Sequence, residues 1–135
     1  MNSTTAPEIE NVTEEVCWEL LETEQIGRLA VTAKDGVDIY PIDYLVANGV
    51  IYFRSAPGRK LINLTADPTV AFEADGTVDR QRWSVVVRGT ANRMDSDSEI
   101  EASGVNQLKS HSPTTKWNYV QITPSTITGR RFFTR

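Results

Sequence analysis

Apolar residues along this chain recur mainly at every second position, and only two or three short stretches switch to helical spacing. Residues 1–11 are polar and are expected to form a loose tail. Thr13 stands where it can cap a helix over residues 14–23. Glu14 and Glu15 fall in its first turn, where the macrodipole favours acids, and Val16, Leu20, Cys17 and Leu21 form its apolar stripe. Gly27 ends that stretch. Residues 28–34 then read as a strand, Asp35-Gly36 as a two-residue hairpin turn, and residues 37–47 as a long strand. Asn48-Gly49 is a second such turn, leading into a third strand over residues 50–55. Two turns of this kind in succession specify an antiparallel meander. Pro41 inside the long strand requires an edge, a bulge or a missing ladder bond.

Ala56-Pro57-Gly58 breaks the sheet, and residues 59–66 place Leu61, Ile62 and Leu64 on a short helix ended by Asp67-Pro68. Residues 69–74 read as a short strand, 75–82 as a polar loop and 83–94 as a long strand. Residues 96–110 are polar; a helix capped there by Ser96 or Asp97 would carry Ile100, Val105 and Leu108, weakened by Gly104. Residues 117–123 and 126–133 read as two more strands around Pro124-Ser125. Six or seven strands without regular strand–helix alternation argue against a parallel sheet. They predict a mainly β chain folded as one domain over residues 1–135, an antiparallel barrel of about six strands closed on itself to remove its edges.

Composition narrows the chemistry. At 135 residues, with 39% hydrophobic and 24% charged positions, the chain is an ordinary globular length and too apolar for disorder. One cysteine, Cys17, excludes an internal disulfide and a Cys-cluster metal site, and one histidine, His111, excludes a multi-His centre. No metal site is expected. The start, MNSTTAPEIENV, lacks the basic and apolar regions of a signal peptide, and no apolar run approaches the ~20 residues of a membrane span. A cytoplasmic protein without a membrane partner is the resulting expectation. The formal charge of −4 gives no reason to expect a nucleic-acid partner, but it conceals an asymmetry. Residues 1–50 hold ten acids against two bases, whereas residues 51–135 hold eight against twelve.

The basic excess concentrates where a strand meets a helix. In residues 51–64, IYFRSAPGRKLINL, a strand ends in Ser55, a Pro-Gly turn follows, and Arg59 and Lys60 open the short helix, with Arg54 just before. Anion binding combines these parts: free N–H groups at a helix start, a hydroxyl, and charge-assisted donors. Bases at a helix start oppose the macrodipole, so an anion would relieve them. The residues alone leave two readings open, a solvated basic turn and a phosphate site. Gly129-Arg130-Arg131 is a second basic cluster, either an exposed strand end or a contact for an anionic ligand tail.

The segments GRLAV, DG, IYPIDYLVANGVIYFRSAPGRKLINL, DPTVAFEAD, WSVVVRGTA and ITGRRFF occur in an order that resembles the pyridoxamine 5′-phosphate oxidase-like family, from about Val12 to Phe133. The most specific part is Tyr-Phe-x-Ser-x-x-Gly-x-Lys at Tyr52, Phe53, Ser55, Gly58 and Lys60, with Asp67-Pro68 after it. The resemblance implies a six-stranded antiparallel split β-barrel of the FMN-binding type, usually a homodimer with FMN in clefts at the dimer interface. Some relatives use the deazaflavin F420. It further implies that Ser55, Arg59 and Lys60, with Arg54 nearby, hold the cofactor phosphate. The strand at Tyr40, Pro41, Ile42 and Asp43 would line the isoalloxazine ring with its backbone, and Trp117 would approach the flavin as the C-terminal aromatic that many members bring across the interface.

The chain also departs from the oxidase pattern. Asp43 and Tyr44 replace its cationic strand, and Thr128-Gly129-Arg130-Arg131-Phe132-Phe133 lacks the histidine of its C-terminal motif. Nitroimidazole-reductase-like relatives often carry a histidine where Arg54 stands. The expected function is therefore an FMN-binding oxidoreductase passing hydride or electrons to or from a small organic substrate, and not a pyridoxamine phosphate oxidase. The alternatives are an F420-dependent reductase, whose longer anionic tail would engage Arg130 and Arg131, and a non-catalytic flavin or small-ligand module. No catalytic acid, base or nucleophile is recognisable, and flavin chemistry requires none.

Overall fold

The computed structural model describes residues 9–94 and 118–133. In chain order these form β1 (Ile9–Val12), α1 (Glu14–Leu21), β2 (Ile26–Ala33), β3 (Gly36–Ala47), β4 (Val50–Ser55), α2 (Arg59–Ala66), β5 (Thr69–Val78), β6 (Gln81–Arg93) and β7 (Asn118–Phe133). Every strand pairing is antiparallel. The six strands β7-β4-β3-β2-β5-β6 follow one another around the sheet, and pairing of β6 with β7 closes them into a barrel.

Alternation along the strands fills the interior. Leu29 and Val31 of β2, Phe53 of β4, Phe72 of β5, Trp83, Val85 and Val87 of β6, and Ile122 of β7 are all essentially inaccessible. Side chains of this kind contribute about 1.5–3 kcal/mol each on burial. Among the described residues, two short helices pack on the barrel. α1 lies on β6 and β7, with Cys17 and Leu21 buried, and Thr13 accepts a hydrogen bond from Val16 N at 3.2 Å as its cap. The Tyr44 hydroxyl donates to the Leu21 carbonyl at 2.6 Å and ties the end of α1 to β3. α2 packs on β2 and β6 through Leu64, with Leu61 against the same core.

Several expectations need correction. Residues 9–11 are not loose, because β1 adds to β7 as a seventh, edge strand. It can do so because the second half of β7 extends beyond β4, and Arg131 fixes the contact by donating to Glu10 from Nε at 2.9 Å. The first turn is Lys34-Asp35, and Gly36 opens β3 with φ at 141°. The expected loop at 75–82 is mostly strand: β5 and β6 form one long hairpin turning at Asp79-Arg80, both with positive φ. The two strands expected at the C-terminus are one. β7 runs through Pro124 because Ser125 is extruded as a bulge opposite the Arg88/Gly89 step, where its hydroxyl donates to the Arg88 carbonyl at 3.0 Å. Gly89 is required here, since a Cβ would fall 2.2 Å from the Thr123 carbonyl oxygen. The helix expected over 96–110 lies outside the described residues, as do Trp117 and His111.

Candidate cofactor site

The site begins where two neighbouring strands part. β3 pairs with β2 along residues 26–33 and 36–43, but its ladder to β4 covers only Tyr44↔Phe53 through Ala47↔Val50. On the β4 side, residues 36–43 of β3 have no strand partner among the described residues. Tyr44 N donates to the Gln25 carbonyl on the opposite side, which sets the parity. The backbone groups of Val37, Ile39 and Pro41 therefore face the open side. Pro41 sits where its missing N–H removes no ladder bond, so a proline is accommodated in an otherwise interior strand. The result is a short backbone edge that offers the Ile39 amide and the Ile39 and Pro41 carbonyls to a ligand.

α2 starts beside this opening. Its first residues follow Gly58, which supplies no side-chain cap, and no acid lies in its first turn, so the leading amides stay available. Lys60 reaches back between the parted strands. Its Nζ lies 5.1 Å from the Tyr40 ring centroid on β3 and 6.0 Å from the Phe53 ring centroid on β4. No carboxylate lies within ion-pair distance of it among the described residues. Burial pushes its ammonium below the ordinary lysine value. A half-buried, desolvated cation held by two rings is poorly compensated by the protein itself. Tyr40 donates to Asp38 at 3.3 Å, and desolvation and Asp38 push its hydroxyl up, opposed by nearby Arg59.

The sequence-derived residues divide as follows. Tyr40, Lys60 and Arg59 meet at the opening, and buried Ser55 ends β4 next to it. The Ser55 hydroxyl donates to the Ala56 carbonyl at 3.0 Å, which leaves its oxygen as an acceptor. Ile42 points into the core, whereas Pro41 and Asp43 are exposed on the outer face. Arg54 alternates with Phe53 and Ser55, so it lies on the other face of β4, opposite Tyr119. Arg131 is ion-paired with Glu10 at 2.8 Å, and Arg130 projects from the opposite face of β7.

A further feature escaped the sequence reading. The outer face of β3, β2 and β5 presents Val37 (69% exposed) and Ile39 (66%) next to small Ala30 and Ala71. Arg28, Glu73 and Asp75 form an ion cluster beside them. Pairs 45 residues apart come together only through the β2–β5 register, so no local spacing announced them.

Among the described residues, no helix is long and apolar enough to cross a membrane, and no three His, Cys, Asp or Glu side chains gather as metal ligands. A closed six-stranded antiparallel barrel, opened beside an uncapped, cation-bearing helix start, defines a split-barrel protein with a cleft bordered by Lys60 and Arg59. The chain belongs to the pyridoxamine 5′-phosphate oxidase family, whose model matches residues 13–131. It is similar to a Corynebacterium glutamicum protein named as a candidate pyridoxamine 5′-phosphate oxidase. The two share 39% identity with a TM-score of 0.83, covering 94% of this chain and 100% of that one. An FAD-binding protein of Mycobacterium smegmatis shares 32% identity, with a TM-score of 0.79 over 93% of this chain and 100% of that one. An uncharacterised protein of Mycobacterium tuberculosis is 35% identical over 65% of this chain and 80% of its own length.

Proposed function

We propose that this protein binds FMN in the cleft between β3 and β4 and serves as a flavin-dependent oxidoreductase acting on a small organic substrate. The observation that carries this reading is Lys60, a desolvated ammonium without a carboxylate partner among the described residues, poised over Tyr40 and Phe53 beside the uncapped start of α2. The donor set fits a phosphate monoester: the α2 amides, Arg59 and Lys60 all offer protons to one dianion. The open edge at Ile39 and Pro41 fits the alternating donors and acceptors along a flavin ring. A bound flavin supplies the hydride and electron chemistry. The chain's own part is to grip the phosphate, align the ring along β3 and exclude water with the aromatic walls of the cleft. The name of the Mycobacterium smegmatis relative lends support to a flavin ligand.

The homodimer belongs to the same proposal. A two-fold interface needs one self-complementary patch, and the outer face provides both knobs and a hole. Val37 and Ile39 project beside a hollow of about 260 Å³ floored by Ala30 and Ala71. Titration of the purified protein with FMN, F420 and FAD in parallel tests the cofactor. The expected order has FMN tightest, because Arg131, a candidate for holding a longer tail, is engaged by Glu10. Tighter binding of F420 would replace FMN in this account. Turnover of quinone or nitro acceptors with NAD(P)H distinguishes an enzyme from a binding module.

A further inference from the structure

The outer face carries a charge cluster that the cofactor cleft does not use. Arg28 Nη2 lies 2.6 Å from Glu73 Oε1 and 3.1 Å from Asp75 Oδ1, and its Nε donates to the same Glu73 oxygen at 2.8 Å. One guanidinium thus serves two carboxylates, leaving the group at net −1. The setting is apolar, since Arg28 and Glu73 border the hollow lined by Ile39, Ala30, Ala71 and Val86.

Among the described residues, the groups around Glu73 offer no second cation within ion-pair distance. On β6 its opposite residue is Val86, flanked on the same face by Ser84 and Arg88. Beyond Arg28, β3 contributes Pro41, flanked by Ile39 and Asp43. Beyond Val86, β7 contributes Thr128, flanked by Thr126 and Arg130. Arg88 and Arg130 make no ion pair with Glu73 or Asp75. Burial, together with hydrogen bonding to Asp75, pushes the Glu73 carboxyl up despite its contact with Arg28.

We propose that closing this face against a second copy takes up one proton per subunit, shared between the Glu73 and Asp75 carboxylates. The inference rests on the homodimer reading above. Moving a net −1 cluster out of water is costly, whereas a proton shared between the two carboxyl groups neutralises it and retains the contacts to Arg28. The dimer then binds more protons than two separate chains, so association strengthens as pH falls. With two protons per dimer, the limiting slope is about a hundredfold in dissociation constant per pH unit.

The test is sedimentation of the full chain, without added flavin, between about pH 8.5 and pH 6 at fixed ionic strength. Where dissociation is too tight to see, the concentration dependence of urea unfolding of the dimer reports the same linkage. The dissociation constant is expected to fall at least about tenfold over that range. Glu73→Gln, which mimics the protonated carboxyl, should dimerise as tightly at the alkaline end as the parent does at the acid end, with little slope. Asp75→Asn provides the second variant and should also flatten the profile. A pH-independent dimer overturns the proton uptake and leaves the homodimer standing, as would be seen if Arg88 or Arg130 of the partner subunit supplied the missing charge. A slope that persists in both variants also overturns it. A chain that stays monomeric at every pH overturns the homodimer and this proposal together.

Discussion

Replacing Lys60 with methionine separates the two consequences of its position. Its ammonium is half-buried, lies over the Tyr40 and Phe53 rings, and has no carboxylate within ion-pair distance among the described residues. Methionine keeps the apolar stem between the rings and removes the charge. A charge-assisted hydrogen bond contributes about 1.5–3 kcal/mol, so the FMN dissociation constant should rise about 10- to 150-fold. The unliganded protein should respond in the opposite sense. Burial holds the folded-state value of Lys60 below its ordinary one, so the folded chain binds fewer protons there than the unfolded chain. The stability linked to Lys60 therefore rises as pH climbs through the folded value, and a penalty applies at neutral pH. Lys60→Met removes the penalty and loses about 0.5–1 kcal/mol of cation–ring attraction. Its unliganded melting temperature at pH 7 should match or exceed the parent's, and any advantage should shrink towards pH 10. Flavin fluorescence titrations and thermal melts with and without FMN measure both effects. Unchanged FMN affinity, or a free variant clearly less stable than the parent, refutes the assignment of Lys60 as a cofactor-compensated cation.

Three further changes probe other parts of the account. Tyr44→Phe leaves the Leu21 carbonyl without the hydroxyl that now donates to it at 2.6 Å, and urea unfolding should report a loss of about 1–3 kcal/mol. Gly89→Ala drives a Cβ to 2.2 Å from the Thr123 carbonyl, against backbone that cannot yield; a loss of about 3 kcal/mol or more is expected, and one below 1 kcal/mol would mean that the bulge is not rigid. Ile39→Asp on the outer face should convert a dimer to monomers in size-exclusion chromatography with little change in the monomer's circular dichroism, and a variant that remains dimeric moves the interface elsewhere.

Much of the barrel was legible because its signals are local. Asn48-Gly49 adopts the positive φ values that a tight hairpin demands, and β4 and α2 fall on the expected residues. The errors arose where a competing residue type carried an unusual backbone. Asp79-Arg80 makes a left-handed turn without glycine, so a hairpin read as a loop. Pro124 looked like a strand break, yet the Ser125 bulge absorbs it. β1 was missed because Ile9–Val12 has little pattern of its own and gains a partner only from the overhanging end of β7. The cleft was half legible. Ser55, Gly58, Arg59 and Lys60 lie within one short segment, and their chemistry is visible in order. The parting of β3 from β4, the sorting of Arg54 to the other face and the Arg28–Glu73–Asp75 cluster depend on register between distant strands.

The central claim is that the cleft beside α2 grips the phosphate of a flavin. Titration of FMN against riboflavin, which lacks only the phosphate, into the unmodified protein tests it most directly. The account predicts saturable binding of one FMN per chain, with riboflavin at least about tenfold weaker, the least that a charge-assisted phosphate contact should contribute. Equal affinity for the two, or no binding of FMN, would contradict it.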